Sequence, residues 1–280
     1  MMSASGVAVR IGELRHEESG RILGVAFDHG GSGVPEGGAD IRRICAQLAG
    51  SQAQALLLGP GLSLRMADLL AAPGAPRLVV SVDAPIFSAL PGGSGPLEEH
   101  RRLLSVEAAA ALGATAVKVL LPVGLRSVAG FGDSVQIVAD VIEESHRLGI
   151  PVMVEPALWG PLAAEDDDLI LHSVRMAIEL GADLLKTPAP AGMDALEQLI
   201  RNSPVPVLML GGSARSRSDL IRDVGRWIVA GAAGVFVGRN IWMVHDPTAM
   251  VAALAAVVHG ANVDAALHLL ETTEVTDSAV

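Results

Sequence analysis

Short, continuous apolar runs alternate with longer amphipathic segments along most of this 280-residue chain. Eight of these runs have the length and unbroken hydrophobicity that are typical of parallel strands buried on both faces. The runs are Ile22–Phe27, Ala55–Leu58, Arg77–Val82, Ala116–Leu121, Pro151–Glu155, Leu184–Lys186, Val205–Leu210 and Val235–Val237. The pattern therefore predicts eight strands, each followed by a connection that is long enough to contain a helix.

Between these strands, apolar residues recur at the spacing of amphipathic helices. Ser63 is a candidate N-cap for the second helix, and the charged positions 98–102 are interpreted as the solvated start of the third. The stretch 91–96, which is rich in Gly, Ser and Pro, is interpreted as a loop. The predicted helices are Ala39–Leu48, Ser63–Leu70, Leu97–Leu112, Ser134–Leu148, Asp166–Leu180, Met193–Arg201, Arg217–Ala230, Pro247–His259 and Asn262–Leu270.

Eight strand–helix units favour a closed (βα)8 barrel, a fold that takes about 250 residues. We expect residues 1–271 to form one such domain, and residues 272–280, which have little apolar surface to bury, to form a disordered tail. An open, doubly wound sheet is the main alternative. The segment after the first strand, which begins Asp28-His29-Gly30, lacks the G-x-G-x-x-G spacing that this alternative uses for dinucleotides.

Composition narrows the possible partners and the compartment. The formal net charge of −11 argues against nucleic acid or an anionic membrane as a general partner, since either would require a basic surface. Cys45 is the single cysteine, so the chain has neither an internal disulfide nor a cysteine cluster for zinc or iron–sulfur. With no leader-like start and no apolar run of membrane-spanning length, the sequence predicts a soluble, cytoplasmic protein.

The basic residues include only two lysines, Lys118 and Lys186, beside 18 arginines. Both lysines lie inside apolar predicted strands, where a charged amine is costly to bury unless it is paired. They belong to the fourth and sixth strands, and alternate strands of a barrel contribute side chains to the same interior layer. Burial and a neighbouring like charge each lower the pKa of a lysine, and a neutral amine is what attack on a carbonyl requires.

Two carboxylates are predicted at the same end of the barrel as these lysines. Active sites of (βα)8 barrels lie at the C-terminal ends of the strands, where Asp28 follows the first strand and Glu155 ends the fifth. These groups would supply compensating charge and proton transfer to Lys118 and Lys186. A pair of interior salt bridges with a purely structural role is the alternative, because such networks also perturb pKa values.

The loops after the seventh and eighth strands are candidates for a phosphate site. Gly211 and Gly212 follow the seventh strand, and Gly238 and Arg239 follow the eighth. In such barrels these two loops often present backbone N–H groups to a phosphate, and an arginine can bind two of its oxygens. The alternative is two ordinary glycine turns with an arginine on the surface.

His29 is interpreted as a hydrogen-bonding group that supports the site rather than as a metal ligand. None of the eight histidines belongs to an H-x-H or H-E-x-x-H pattern. We therefore expect neither a metal ion nor a cofactor. Trp159 and Met153, near the fifth strand, are interpreted as packing residues, and Cys45 as a small buried hydrophobe.

At these positions the sequence resembles the DeoC/LacD-type class I aldolases, near the archaeal-type fructose-bisphosphate aldolases and their relatives that build aminodideoxy-heptulosonate. The resemblance spans nearly the whole chain, and two of its segments, 207–212 and 230–242, are rather specific. The similar segments are Val25–Gly30, Leu180–Thr187, Val207–Gly212, Ala230–Trp242 and Val257–Leu267.

The resemblance implies that Lys186 forms a Schiff base, that Asp28 assists carbinolamine chemistry, and that the two glycine loops hold a substrate phosphate. The archaeal-type branch usually has Tyr before the proline at the end of the fifth strand, whereas this chain has Glu155. With Lys118, this glutamate is similar to the pair in tagatose-bisphosphate and sulfofructose-phosphate aldolases, where Glu serves as acid and base.

The expected reaction is reversible cleavage of a phosphorylated ketose, or addition of dihydroxyacetone phosphate to an aldehyde, and the expected partner is a phosphorylated sugar. The family resemblance also implies a homo-oligomer. Two other functions stay open at this point. One is a thiolase-like acyl transfer on a phosphorylated diketone with the same lysine, and the other is a non-catalytic barrel that binds phospho-sugars.

Overall fold

The computed structural model describes residues 2–32, 38–87, 97–125, 127–158 and 166–277. The strands are β1 (Ile22–Phe27), β2 (Ala55–Leu58), β3 (Arg77–Ser81), β4 (Asp83–Phe87), β5 (Leu97–Arg102), β6 (Ala116–Val123), β7 (Val152–Leu158), β8 (Leu184–Thr187), β9 (Val207–Leu210) and β10 (Gly234–Val237). The helices are α1 (Met2–Glu13), α2 (Ile41–Ala49), α3 (Pro60–Arg65), α4 (Ala67–Leu70), α5 (Val106–Ala111), α6 (Val128–Leu148), α7 (Asp167–Leu180), α8 (Met193–Asn202), α9 (Arg217–Val229), α10 (Arg239–Trp242), α11 (Pro247–Gly260) and α12 (Val263–Asp277). A short 3-10 turn at His29–Ser32 follows β1.

Eight parallel strands close into a barrel in the order β1-β10-β9-β8-β7-β6-β3-β2. Helices separate successive strands, so the predicted (βα)8 barrel is confirmed and the open doubly wound sheet is wrong. The strands are almost entirely buried, as the continuous apolar runs predict for parallel strands with helices outside and packed side chains inside. This arrangement brings the C-terminal ends of all eight barrel strands to one mouth.

The interior of the barrel is filled by apolar side chains below this mouth. Phe236 is the largest of them, and its ring occupies the space in front of Gly24, where a Cβ atom would lie 2.4 Å from the ring. The N-terminal segment adds to this cluster. Leu14 is part of it, and Ile11, from α1, packs against it. The sequence pattern did not predict α1. The barrel interior is therefore a packed core, and only its mouth is open to ligands.

The segment between β3 and α5 differs from its prediction. Leu97–Arg102 forms β5, which pairs antiparallel with β4 as a two-stranded extension beside the barrel, so the predicted helix over Leu97–Leu112 is wrong in its first half. The helix begins only at Val106, where the hydroxyl of Ser105 accepts a hydrogen bond from the backbone N–H of Ala108. Pairing with a distant segment has overridden the local pattern.

Three smaller differences concern helix ends. Ser63 lies inside α3 and donates to the carbonyl of Gly59, so its prediction as an N-cap is wrong; the helix starts earlier, with Pro60 in its first turn. Helix α12 continues to Asp277 and includes part of the predicted tail, and the predicted loop 91–96 lies outside the described residues. Among the helices of the described ranges, none is long and apolar enough to cross a membrane.

Candidate active site

A cavity of about 490 Å³ lies at the C-terminal mouth of the barrel. This volume is in the range of small-molecule sites. The cavity is lined by residues from the ends of β1, β3, β6, β7, β8, β9 and β10 and from β4. Both lysines of the chain reach it, together with three carboxylates. A site for chemistry on a small molecule is therefore present where the barrel fold predicts one.

Lys186 projects into the cavity from β8, a strand whose four residues are all buried. Its Nζ atom lies 2.8 Å from Oε2 of Glu155, which comes from the neighbouring strand β7. Glu155 is the one acidic residue within ion-pair distance of Lys186 in the described ranges. The two groups are close enough to exchange a proton directly.

Lys118, on β6, is enclosed by acidic groups. Its Nζ atom lies 3.4 Å from Oε2 of Glu155, 3.5 Å from Oδ2 of Asp28 and 3.7 Å from Oδ1 of Asp83, and it donates to Oγ of Ser81 at 3.3 Å. Burial opposes its charge, but the three carboxylates outweigh burial and raise the pKa of Lys118 above its ordinary value. Burial and a neighbouring lysine were expected to lower this pKa, and the surrounding carboxylates reverse that direction.

Asp28 follows β1 at the mouth of the barrel, and its carboxylate interacts with both lysines. Burial by itself would raise its pKa, but the charges of Lys118 and Lys186 outweigh burial and lower the pKa of Asp28 to about 2. The carboxylate is therefore ionised at neutral pH. It can accept hydrogen bonds and balance positive charge, but it has no proton to donate.

Asp83, which the sequence places after the third barrel strand, forms a buried pair with His100 that the sequence did not predict. Oδ2 of Asp83 lies 2.7 Å from Nε2 of His100 and accepts the backbone N–H of Leu120 at 2.5 Å. Both side chains are fully buried, and Oδ1 of Asp83 lies 3.7 Å from Nζ of Lys118. The position of Asp83 directly after the third barrel strand was the available signal, whereas His100 was assigned to a predicted helix.

The glycine loops after β9 and β10 lie side by side at the mouth. The N–H of Gly211 is used by the sheet, since it donates to the carbonyl of Phe236 at 3.3 Å. The N–H groups of Gly212 and Gly238 have no acceptor within the described ranges. Gly212 has a φ of +71°, and a Cβ atom on Gly238 would lie 2.7 Å from the ring of His29, so both positions require glycine.

Asn240 joins these two loops, a contact that the sequence did not suggest. Its side-chain amide donates to the carbonyls of Gly211 at 3.1 Å and Ser213 at 3.0 Å, and its Oδ1 accepts from the backbone N–H of Arg215 at 3.0 Å. Each of these three hydrogen bonds joins the buried Asn240, which follows β10, to a residue of the segment that follows β9. Asn240 therefore fixes the separation of the two loops.

His29 lies between Asp28 and the second glycine loop. Its ring meets that of Trp242 edge to face at a centroid distance of 5.4 Å, and its Nδ1 atom is 3.8 Å from Oδ1 of Asp28. Burial, followed by the nearby positive charges of Lys186 and Arg239, lowers the pKa of His29 against the opposing effect of Asp28. The neutral imidazole is thus the main form at neutral pH.

The chain is similar to known proteins. A model of the DeoC/LacD family aldolases matches residues 22–244, which include every barrel strand and every cavity residue named above. The chain belongs to the DeoC/LacD aldolase family. It is thereby placed among the enzymes that make or break carbon–carbon bonds.

Similar proteins extend over nearly the full length of this aldolase. The 2-amino-3,7-dideoxy-D-threo-hept-6-ulosonate synthase of Halobacterium salinarum is 31% identical over 261 residues, which are 92% of this chain and 93% of that protein. The 2-amino-4,5-dihydroxy-6-oxo-7-(phosphonooxy)heptanoate synthase of Streptomyces griseus is 29% identical over 90% of each chain. The solved structure of a Schiff base forming fructose-1,6-bisphosphate aldolase superposes with a TM-score of 0.75 at 22% identity, covering 90% of this chain and 99% of that one, and shares the fold.

The structure of this aldolase brings most of the predicted site residues together. Asp28, Lys118, Glu155 and Lys186 meet in one cavity, and Gly212, Gly238, Arg239 and His29 border it. Gly211 also borders it, but with its N–H turned to the sheet. Met153 and Cys45 are buried in the core, whereas Trp159 lies outside the described residues. No group of three metal-ligating side chains occurs within the described part of the chain.

Proposed function

We propose that this chain is a class I aldolase in which Lys186 forms a Schiff base with the ketone of a phosphorylated ketose or of dihydroxyacetone phosphate. One observation carries the proposal. The two lysines of the chain share Oε2 of Glu155, but only Lys118 is also held by Asp28 and Asp83.

This asymmetry assigns different roles to the two lysines. Lys118 is kept cationic by three carboxylates. It is a poor nucleophile, because the electron pair of its nitrogen is bound to a proton. Lys186 has one acidic partner, and Glu155 can take the ammonium proton across 2.8 Å to leave a neutral amine. Lys186 is therefore the nucleophile, and Lys118 is the fixed positive charge beside Glu155.

The formation of the imine follows from these positions. The Lys186 amine attacks the ketone carbon to give a carbinolamine, and the protonated Glu155 donates its proton to the carbinolamine hydroxyl, which leaves as water. The product is an iminium ion that withdraws electrons from the adjacent carbon. Asp28, ionised because its pKa is about 2, lies close enough to offset the charge of this ion.

Cleavage uses the same carboxylate a second time. Glu155 removes the proton from a hydroxyl group. This hydroxyl is on the carbon of the breaking bond that is farther from the iminium ion. The electron pair of that carbon–carbon bond then moves to the iminium ion, which gives an enamine and a free aldehyde. Glu155 returns the proton to the enamine carbon, and a water molecule hydrolyses the imine to release the second product and Lys186. One water leaves and one is consumed, so the cycle balances.

The glycine loops supply the anchor for the substrate phosphate. Gly212 and Gly238 offer N–H groups without acceptors in the described ranges, and Arg239 provides a guanidinium that can bind two oxygens. The names of similar proteins support this assignment, since one is named as the synthase of a phosphonooxy ketone and another as a Schiff base forming aldolase. Gly211 contributes through its carbonyl, which holds Asn240, rather than through its N–H.

The test of the proposal is the loss of the amine. Lys186→Met keeps the length of the side chain and removes the nucleophile, so turnover of the ketose phosphate should be abolished while the protein stays folded. Near-normal activity of this variant would show that the mechanism is wrong. A matched Lys118→Met variant reports whether the effect is specific to Lys186.

A further inference from the structure

The order of the strands around the barrel places the groups of the cavity in a series that leads from one side of the mouth to the opposite side. Starting from the phosphate loops after β10 and β9, the next strand is β8 with Lys186, then β7 with Glu155, then β6 with Lys118 and Leu120, and then β3 with its extension β4. In a ring of eight strands, β6 lies opposite β10 and β3 lies opposite β9. The side of the cavity that faces the phosphate loops is therefore formed by β6, by β3 and β4, and by the end of β7.

This opposite side presents mainly apolar surface to the cavity. Six of its lining residues are apolar: Ala84, Pro85 and Phe87 from β4, Leu120 from β6, and Ala157 and Leu158 from β7. Ser81, Asp83, Lys118 and Glu155 line the cavity from the same strands. The cavity contains a cation on this side as well, Lys118, but three carboxylates already surround it. An anion that approached Lys118 would displace these contacts and meet Glu155 and Asp83 at the same time.

The remaining basic residues do not change this balance. Arg239 is the one arginine that lines the cavity within the described ranges, and it lies at the phosphate end. The internal stretches outside those ranges, which are 33–37, 88–96, 126 and 159–165, contain a single basic residue, Arg126. Within the described ranges, the far side of the cavity therefore has no cation other than Lys118 to offer a second phosphate or a carboxylate.

We infer that the aldehyde handled by this enzyme has an uncharged, largely apolar body and carries no second phosphate. This inference rests on the proposed function, because the position of the aldehyde follows from imine formation at Lys186. The donor phosphate lies at the β9 and β10 loops, its ketone carbon reaches Lys186, and the bond to the aldehyde forms beside Glu155. The rest of the aldehyde must then extend along Leu120, Ala157 and Leu158.

The reaction written with this aldehyde balances without a further reagent. The enamine of dihydroxyacetone phosphate on Lys186 attacks the aldehyde carbon, the new carbon–carbon bond forms, and Glu155 gives the oxygen the proton that it took from the donor carbon. Water then releases the ketose monophosphate from Lys186. The aldehyde substituent takes no part in the chemistry. Whether a charged substituent is accepted therefore depends only on the side of the cavity that it contacts.

Two matched pairs of aldehydes test the inference with the wild-type enzyme and dihydroxyacetone phosphate. Glyceraldehyde and glyceraldehyde 3-phosphate differ by one phosphate, and butanal and succinic semialdehyde differ by a terminal carboxylate in place of a methyl group. We expect kcat/KM for each charged aldehyde to be lower than for its uncharged partner by about 100-fold, since an unpaired anion would have to be desolvated.

The outcomes separate the inference from the proposed function. Borohydride reduction with dihydroxyacetone phosphate alone reports imine formation, and the absence of an adduct would overturn the proposed function and with it the inference. If the adduct forms but either charged aldehyde reacts as well as its partner, or neither uncharged aldehyde reacts, the inference alone is overturned. Arg126→Ala completes the set, because a selective loss of charged aldehydes in this variant would show that Arg126 supplies the missing cation.

A substitution in the wall should shift the preference in the opposite direction. Leu158→Arg adds a cation next to the apolar subsite, and Leu158→Met is the matched control for side-chain length. We expect the ratio of kcat/KM for succinic semialdehyde to that for butanal to rise about tenfold in Leu158→Arg relative to Leu158→Met. An unchanged ratio in a folded Leu158→Arg variant would contradict the position assigned to the aldehyde.

Discussion

The Nζ atom of Lys186 lies 2.8 Å from Oε2 of Glu155, at the point where β8 and β7 open into the cavity. In the proposed mechanism, this contact makes one carboxylate the proton acceptor for the nucleophile and also the acid and base for the later steps. Lys118 approaches the same oxygen at 3.4 Å, so the carboxylate contacts both the proposed nucleophile and the second lysine. Four predictions follow from these contacts and from the surrounding groups.

Glu155→Gln should slow turnover by about 10²- to 10⁴-fold, the usual contribution of general acid–base catalysis. The amide keeps the size of the side chain but cannot carry the proton. Imine formation should persist at a reduced rate, because water can replace Glu155 as proton carrier for that step. The measurement is kcat together with the yield of the borohydride adduct. Loss of the adduct in parallel with loss of turnover would contradict the separation of the two steps.

Lys118→Met should lower the free energy of unfolding at neutral pH by about 3–5 kcal/mol, because it leaves Asp28, Asp83 and Glu155 close together without their shared cation. Lys118→Arg retains the charge and is the control. The pKa of Asp28 is lowered to about 2, so its contribution to stability is present above its ordinary pKa and is lost as the pH falls through 2.

The difference in stability between wild type and Lys118→Met should therefore shrink as the pH is lowered from 7 towards 2, since Asp28 becomes protonated. Urea unfolding at several pH values measures it. A difference that stays constant with pH would mean that Lys118 stabilises the fold by packing rather than by charge.

Arg239→Met should raise KM for dihydroxyacetone phosphate by about 10- to 100-fold, in line with the loss of a charge-assisted hydrogen bond. The reaction of unphosphorylated dihydroxyacetone should change little, because Arg239 has no group to bind in that donor. Arg222→Met, at an exposed pair with Asp219 on α9, is the matched control. Equal losses with both donors would argue against a phosphate site at Arg239.

His259 should make the protein less stable in mild acid. Its ring stacks on His16 at 4.1 Å, its Nδ1 is 2.8 Å from Oγ of Ser19, and burial, with the charges of His16 and Arg21, lowers its pKa to about 4. A base with a lowered pKa binds its proton more readily in the unfolded chain, so stability falls as the pH drops from 6.5 to 4.

His259→Asn removes this titration and should reduce the loss of stability between pH 6.5 and pH 4 by about 1 kcal/mol, because solvent screens the half-exposed ring. Denaturant unfolding of the variant and the wild type at both pH values gives the comparison. The same loss in both proteins would mean that other groups account for the acid sensitivity.

The barrel was predictable because its strands are continuous apolar runs. All eight predicted strands are present, with ends that differ by a few residues. Asp28 directly follows β1 as expected, whereas β7 continues to Leu158, so the prediction that Glu155 ends its strand is wrong, although Glu155 still reaches the cavity. Helix lengths were less predictable. Ser63 illustrates the reason, because its hydroxyl satisfies a carbonyl inside the helix as readily as it would cap the first turn.

Contacts between distant segments were not predictable from local pattern. The β4–β5 pairing brings His100 to Asp83, and the charged residues of β5 had suggested a helix. Asn240 contacts Gly211 and Ser213, which lie 29 and 27 residues earlier in the chain. The charge of Lys118 also depends on how many carboxylates surround it, and that number is a property of the folded barrel.

The measurement that tests the central claim most directly is reduction of the enzyme by borohydride in the presence of dihydroxyacetone phosphate, followed by mass spectrometry of the peptides. The account predicts one adduct, on the peptide that contains Lys186, which is also formed in Lys118→Met and is absent from Lys186→Met. An adduct on Lys118, or none on a folded and active enzyme, would contradict it.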